Sequence, residues 1–242
     1  MNAFTRRDLA ILPIAGDTCI VIVCDSCGAI GTKNGDAFKL SPRYAAKFTT
    51  RVVLTEVICS GAKPVSIANC VANEMFPTGE EMILGIRDEL GNAGITDISL
   101  IGSTEENFAT SMTAQAITAV GVAKESDLKF GRAAKDDKLI LFGLPHVGSE
   151  VNLESVGLYS EIRRLLSLQG VKEIVPVGSK GIAYEADTLA ALNGMEFKSY
   201  DTEVDYFKSA GPATCMLILC TDSSVDQVLR TYAVSTVIGE FQ

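Results

Sequence analysis

Carboxylates stand at the ends of the apolar runs. Asp8 precedes the first run, Asp25 ends the second, Glu56 lies near the end of a long helical stretch, and Glu105-Glu106 follow a short run that closes at Gly102. Magnesium takes oxygen ligands, usually one or two carboxylates completed by substrate phosphates. Acids scattered in sequence but placed at element ends could converge on such an ion. Spacing alone favours the plainer role of solvated caps and turn residues. Cys24-Asp25-Ser26-Cys27 is a Cys-x-x-Cys, but a zinc ribbon needs a second pair and the chain has none. Redox motifs usually sit at a helix N-terminus, whereas Gly28-Ala29-Ile30-Gly31 follows here and reads as loop. Buried or incidental thiols are therefore expected. His146 is the only histidine. That excludes zinc hydrolases with two or three histidine ligands and leaves a Ser-His-Asp triad one possible base. Within Leu144-Pro145-His146-Val147-Gly148 its role stays open between structural and catalytic. No Gly-x-x-x-x-Gly-Lys-[Ser/Thr] occurs and no Gly-x-Gly-x-x-Gly follows a strand, so a P-loop is excluded and a dinucleotide-binding fold disfavoured.

The elements that must position these groups follow from hydrophobic periodicity. Leu9–Ile14 and Cys19–Cys24 read as two strands around a Gly16-Asp17 turn, and 28–36 as a glycine-rich loop. Pro42–Ile58 reads as a helix, with Tyr44, Phe48, Val52 and Thr55 three or four apart, stopped by Gly61-Ala62-Lys63-Pro64. Then come a strand (Val65–Ala72), a helix (Thr78 to about Ala93), a strand (Ile98–Ile101) and a long strand (Ser111–Ala123). Lys124–Lys138 carries nine charged residues in fifteen, so the domain boundary is expected there, giving 1–125 and 126–242. The second half reads as strand (Leu139–Phe142), helix (Leu158–Leu168), strand (Glu173–Val177), a Gly178-Ser179-Lys180-Gly181 loop, helix (Tyr184–Leu192), strand (Thr214–Cys220), helix (Ser224–Tyr232) and a terminal strand. Strands and helices mix without a strict βαβ repeat, which predicts an α+β architecture.

Composition bounds the setting. The 242 residues suffice for one large domain or two modest ones, and 47% hydrophobic with 21% charged residues is globular. A net charge of −9 repels phosphate backbones and anionic lipid, so neither a nucleic acid nor a membrane is an expected partner. Seven cysteines, an odd number without dense spacing, argue against a disulfide framework and for a reducing cytoplasm. Thr5-Arg6-Arg7-Asp8-Leu9 has some likeness to a twin-arginine export signal. Asp8, Pro13 and the shortness of Leu9–Ala15 disfavour that reading.

From Asp8 to Gly143 the chain resembles the superfamily of aminoimidazole-ribonucleotide synthetase, thiamine-phosphate kinase, selenophosphate synthetase and hydrogenase maturation proteins. Five motifs carry the resemblance, in order: Arg7-Asp8-Leu9-Ala10, Cys24-Asp25, Thr55-Glu56 five residues before Gly61-Ala62-Lys63-Pro64, Leu100-Ile101-Gly102-Ser103-Thr104-Glu105, and Ala133-Ala134-Lys135-Asp136-Asp137-Lys138-Leu139. Ser209-Ala210-Gly211-Pro212 and Val237-Ile238-Gly239 look like the family's C-terminal domain. There are departures. Arg6-Arg7 replaces a family Gly-Asp, Glu56 an Asp, and Thr104 a loop carboxylate, while Lys180 stands where thiamine-phosphate kinases carry an acid. The variant stretches 24–31, 102–108, 176–182 and 209–214 look most like alpha-ribazole kinase, a short branch of the superfamily.

The resemblance implies a two-domain fold. An N-terminal domain (1–125) would bind ATP and Mg²⁺ and form a dimeric β-barrel, and a C-terminal α+β domain (126–242) would complete the substrate site. It implies transfer of the ATP γ-phosphate to the 5′-hydroxyl of alpha-ribazole, a nucleoside-like substrate of cobamide lower-ligand assembly. Asp8, Asp25 and Glu56, with Glu105 or Glu106, would hold Mg²⁺. Gly28, Gly31, Gly102, Ser103 and Thr104 would line the nucleotide site, and Lys33 and Lys180 would meet phosphate charge. Asn107 and Ser179 are polar contacts, and Asp25 and Lys180 the catalytic candidates. Two other readings stand beside the kinase: an ATP-dependent ring-closing synthetase sharing the metal site, and a non-catalytic nucleotide-binding maturation protein.

Overall fold

The computed structural model describes residues 3–130 and 133–242, and the chain divides into two compact units. The first comprises Met1–Val57, Ala62–Ser126 and Leu153–Gly157. It contains β1 (Phe4–Arg6), β2 (Leu9–Ala15), β3 (Thr18–Gly28), β4 (Ile30–Gly31), β5 (Phe38–Lys39), α1 (Pro42–Cys59), β6 (Lys63–Val71), α2 (Glu80–Asn92), β7 (Ser99–Ser103) and β8 (Ala114–Lys124). Six strands form one open sheet in the order β1-β2-β3-β8-β6-β7, antiparallel except for the parallel β6–β7 pair. β4 and β5 make a separate two-residue parallel ladder.

Alternation along the strands sets the two faces of this sheet. Cys19, Val21 and Val23 of β3 are buried, as are Ile117 and Ala119 of β8 and Ile67 of β6, and register places Val23 opposite Ala119. α1 lies over this face: Thr49 is within hydrogen-bond reach of Gln115, and Val57 packs at Gly121. α2 is tied to α1 by Arg51, whose guanidinium binds Glu89 at 2.7 Å in full burial. The opposite face presents Ile20, Ile22, Val120 and Ala68, all partly exposed, and Ile101, which is 62% exposed. The segment Leu153–Gly157 returns to this unit as a strap over α1. Lys47 donates to the Leu153 carbonyl, Tyr44 to Glu154, and Arg51 to both the hydroxyl and the carbonyl of Ser155.

The second unit comprises Ile58–Gly61, Asp127–Asn152 and Leu158–Gln242. It holds β9 (Lys138–Gly143), α3 (Tyr159–Ser167), β10 (Val171–Pro176), α4 (Gly181–Leu192), β11 (Phe197–Ser199), β12 (Cys215–Cys220), α5 (Val225–Leu229) and β13 (Ser235–Phe241). The sheet order is β10-β12-β9-β13-β11, antiparallel throughout. Leu139, Leu141, Leu217 and Leu219 form one core with Ile182, Ala186 and Leu189 of α4. On the other face Phe142 stacks at 5.2 Å on Tyr232, which follows α5. Helices thus cover both faces.

The α+β expectation holds, with local differences. β1 and β11 had no periodic signal, being three residues each. β8 starts at Ala114, because Ser111–Thr113 is held as loop by side-chain bonds described below. A wide turn, Met75–Gly79, replaces the expected first turn of α2, and α5 stops at Leu229. The apolar run after Arg6-Arg7 is β2, paired on both sides. Gly131 and Arg132, within the charged stretch, lie outside the described residues. Among the described residues no helix is long and apolar enough to cross a membrane.

Candidate functional site

At one end of the first unit's sheet, β3 closes at Gly28, β6 at Val71 and β7 at Ser103, while β8 opens at Ala114. Register sets Gly28 opposite Ala114, Val71 opposite Gln115 and Cys70 opposite Ser103. The connections 29–37, 72–79 and 104–113 therefore gather at this end. The first is stapled to the third: Ala29 N–H donates to the Thr113 carbonyl at 2.8 Å and Gly35 N–H to that of Ser111 at 2.9 Å. Buried Asp36 accepts from Lys33 N–H, Thr113 N–H and the Thr113 hydroxyl at 2.8, 2.6 and 2.7 Å. Burial pushes its carboxyl up, but those bonds outweigh it and hold the group below its ordinary value. Gly31 sits inside this staple. A Cβ there would lie 2.0 Å from Thr113 Oγ1 and 2.6 Å from Asp36 Oδ2, so only glycine fits. Gly28, by contrast, faces open space.

Lys33 projects from the stapled loop and its Nζ meets Glu74 Oε2 at 2.7 Å. Glu105 accepts from the backbone N–H groups of Asn107 and Phe108, and Glu106 accepts the Met75 N–H at 2.8 Å. Gly102 closes against the Asn69 carbonyl, 2.6 Å from where a Cβ would stand. Ser103 is exposed, Asn107 is exposed, and the Thr104 methyl lies against Gly79.

The acids expected to share a metal are not all gathered. Asp25 is half-buried on β3, three residues before Gly28; burial raises its pKa and the like charge of Asp8 adds to that, against a lowering bond from the Ser26 N–H. Glu56 instead faces Arg7 at 3.4 Å, in a pair with little solvent access. Glu105 and Glu106 spend oxygens on backbone N–H groups. Among the described residues no group of three His, Cys, Asp or Glu side chains is arranged to hold a metal ion. Asp8 is near enough to Asp25 for its charge to act on that carboxyl.

Lys180 lies in the second unit, before α4, with its ammonium 4.0 Å from the Tyr184 ring centroid. His146 lines a cleft of about 540 Å³ in the same unit with Leu144, Asp205 and Lys208, and its backbone N–H donates to Thr214 Oγ1. Cys24 and Cys27 both lie within β3, which runs to Gly28 before the 29–37 connection, and a strand sends residues three apart to opposite faces. Cys24 is exposed; Cys27 is turned inward, where burial raises its pKa. The pair therefore shares no metal and forms no bridge. Sequence reading missed Asn73, Glu74 and Asp36. A signal for the first two was an Asn-Glu pair directly after an apolar strand, where polar side chains can meet neighbouring strand ends.

No protein-family model matches the chain, and no curated protein does. Solved structures do. The chain is similar to Thermotoga maritima PurL complexed with ADP, with TM-score 0.75 and 13% identity over 99% of this chain and 42% of that one. It is similar to Escherichia coli HypE, a hydrogenase maturation protein, with TM-score 0.71 and 16% identity over 92% of this chain and 79% of that one. HypE in complex with HypF aligns with TM-score 0.68 and 15% identity. PurL structures hold ADP, AMPPCP or ATP. The chain spans about two fifths of the length of PurL. PurL and HypE belong to the superfamily of aminoimidazole-ribonucleotide synthetase, and the fold of this chain is theirs.

Proposed function

We propose that this chain is an ATP-dependent small-molecule kinase whose acceptor is the 5′-hydroxyl of a nucleoside-like compound, alpha-ribazole. The observation that carries the nucleotide half of this reading is the loop assembly at one end of the first sheet. Three connections are tied into one rigid rim, with glycine obligatory at 31 and close-packed at 102, an ammonium at Lys33, and Asp25 three residues behind. Phosphoryl transfer asks a protein mostly for positioning and charge neutralisation. The acceptor half rests on the motif resemblance over 24–31, 102–108, 176–182 and 209–214.

Mg²⁺ fits the Asp8–Asp25 pair. Asp25, half-buried and with the like charge of Asp8 adding to the cost of its ionisation, gains from a cation, and nucleotide phosphates complete such a shell. Bound there, the ion would neutralise phosphate charge. Glu56, Glu105 and Glu106 then serve around the site, Glu56 as the partner of Arg7 and the other two as loop caps. Gly28, Gly31, Gly102, Ser103, Thr104 and Asn107 line the nucleotide side and Lys33 faces phosphate, while Lys180 stays a catalytic candidate on the motif resemblance over 176–182 alone. The partly exposed apolar face of the first sheet, with Ile20, Ile22, Val120 and Ile101, is where a second copy would close the barrel of a homodimer.

A second reading, a non-catalytic nucleotide-binding maturation protein, gains from the Arg7–Glu56 pair, which withdraws one carboxylate from metal binding. A ring-closing synthetase would share the same site. ADP formation from Mg-ATP with alpha-ribazole, thiamine phosphate, formylglycinamidine ribonucleotide and selenide separates them. Turnover with alpha-ribazole alone, abolished in Asp25→Asn, supports the kinase. Nucleotide binding with no turnover on any of the four supports the maturation protein.

A further inference from the structure

We propose that Glu74 is the positioning residue of this site: it fixes the Lys33 ammonium at the rim, where that ammonium meets a ligand phosphate. The inference rests on the nucleotide reading above and adds a residue to it.

Both oxygens of Glu74 are committed. Oε2 takes Lys33 Nζ at 2.7 Å, and Oε1 accepts the Thr78 hydroxyl. A carboxylate held at both ends cannot swing, so the lysine it holds is fixed in direction as well as in place. Partial burial would raise the Glu74 pKa, yet the bonds from Lys33 and Thr78 bring it below the ordinary value, so it stays ionised wherever the protein is folded near neutral pH.

The backbone around Glu74 is equally fixed. Asn73, fully buried, donates from Nδ2 to the Met112 carbonyl at 2.8 Å and to Thr110 Oγ1, and its Oδ1 accepts the Ala114 N–H at 2.9 Å. The Asn73 carbonyl accepts the Glu105 N–H, and the Glu74 carbonyl the Gly79 N–H. Met75 N–H goes to Glu106. Three consecutive residues thus join the 104–113 connection, the start of α2 and, through Lys33, the 29–37 connection. The Lys33 side chain keeps 19% exposure, and an ammonium has three N–H donors. One goes to Glu74, leaving donors for a phosphate oxygen.

The test is a double-mutant cycle on the full chain with Lys33→Met, Glu74→Gln and both together. Two quantities are read: the Kd of Mg-AMPPNP by calorimetry, and the acylation rate of Lys33 by a small amine reagent, followed by mass spectrometry. Glu74→Gln is expected to weaken nucleotide binding about tenfold alone and less than about twofold in the Lys33→Met background, because it acts through that lysine. In the same variant Lys33 should acylate several-fold faster, with the melting temperature little changed. Unchanged acylation overturns the inference. So does tighter binding in Glu74→Gln, which would make Glu74 a competitor of the phosphate, or full additivity of the two changes. If the wild-type chain itself binds no Mg-AMPPNP, the nucleotide reading and this residue's phosphate role are lost together, while the acylation contrast still decides whether Glu74 fixes Lys33.

Discussion

Strand β12 is buried along all six residues, whereas β3 alternates, with Val21 and Val23 buried and Ile20 and Ile22 partly exposed. The difference lies in the helices. In the second unit α4 lies on one face of the sheet and Tyr232 after α5 on the other. In the first, α1 and α2 share one face. An antiparallel sheet covered on one side normally turns a polar face outward, yet Ile20, Ile22, Val120 and Ala68 occupy the uncovered one. The cores differ too. The cluster under α4 in the second unit is apolar, with Asp137, Glu173 and Glu185 buried around it, while the first unit buries Arg51 with Glu89, and also Asn73, Gln115 and Asn69. One unit is finished as a packed solid. The other spends burial on polar groups, some of which organise a rim, and it leaves an apolar face partly exposed.

Mutations that strike one side of this contrast sharpen it. Arg51→Met strands Glu89 without its cation at full burial and should destabilise the chain by about 3–5 kcal/mol, read as a lower urea midpoint. Leu217→Ala in the second core should cost about 3 kcal/mol by the same measurement, from lost burial and the cavity left behind. Gly31→Ala forces its methyl into Thr113 and Asp36; about 2 kcal/mol is expected, with a larger proportional loss in nucleotide affinity by calorimetry. Ile22→Lys on the open face should move stability by only about 0.5 kcal/mol yet shift a dimer to monomer in sedimentation. An unchanged sedimentation coefficient in that variant would break the idea that this face is a subunit interface.

The smallest effect is electrostatic. Lys138 at 2.6 Å and the Tyr200 hydroxyl at 2.8 Å hold the Glu240 carboxyl down to about 2. A carboxyl depressed in the folded state contributes stability above its ordinary pKa and loses it as pH falls toward about 2. Wild-type urea midpoints should therefore drop over that acidic window, and Glu240→Gln should flatten the slope.

Periodicity in the sequence revealed the longer strands and the helices, because alternation and 3.6-residue spacing are imposed by burial itself, but not the three-residue β1 and β11. It could not show which carboxylates were free. Glu56 reads as a candidate ligand until Arg7, forty-nine residues away, is seen beside it. Glu105 and Glu106 read as alternative ligands, and the sequence does not show the N–H groups of Asn107 and Met75 that stand on them. The same blindness hid Asn73 and Glu74, whose partners come from distant loops. The reading of Cys24 and Cys27 as incidental thiols has its reason in the strand, where a three-residue spacing means two faces rather than the one face of a helix.

The strap Leu153–Gly157 has a consequence for how this chain can be taken apart. The polypeptide passes between units after residues 57, 61, 126, 152 and 157, so the units are stitched rather than strung. A fragment ended at residue 125 would keep every strand of the first sheet and still be incomplete. Arg51 would lose the hydroxyl and carbonyl of Ser155, and Lys47 the carbonyl of Leu153. A fragment meant to carry the first unit therefore has to run through residue 157 to keep the bonds that α1 makes to the strap.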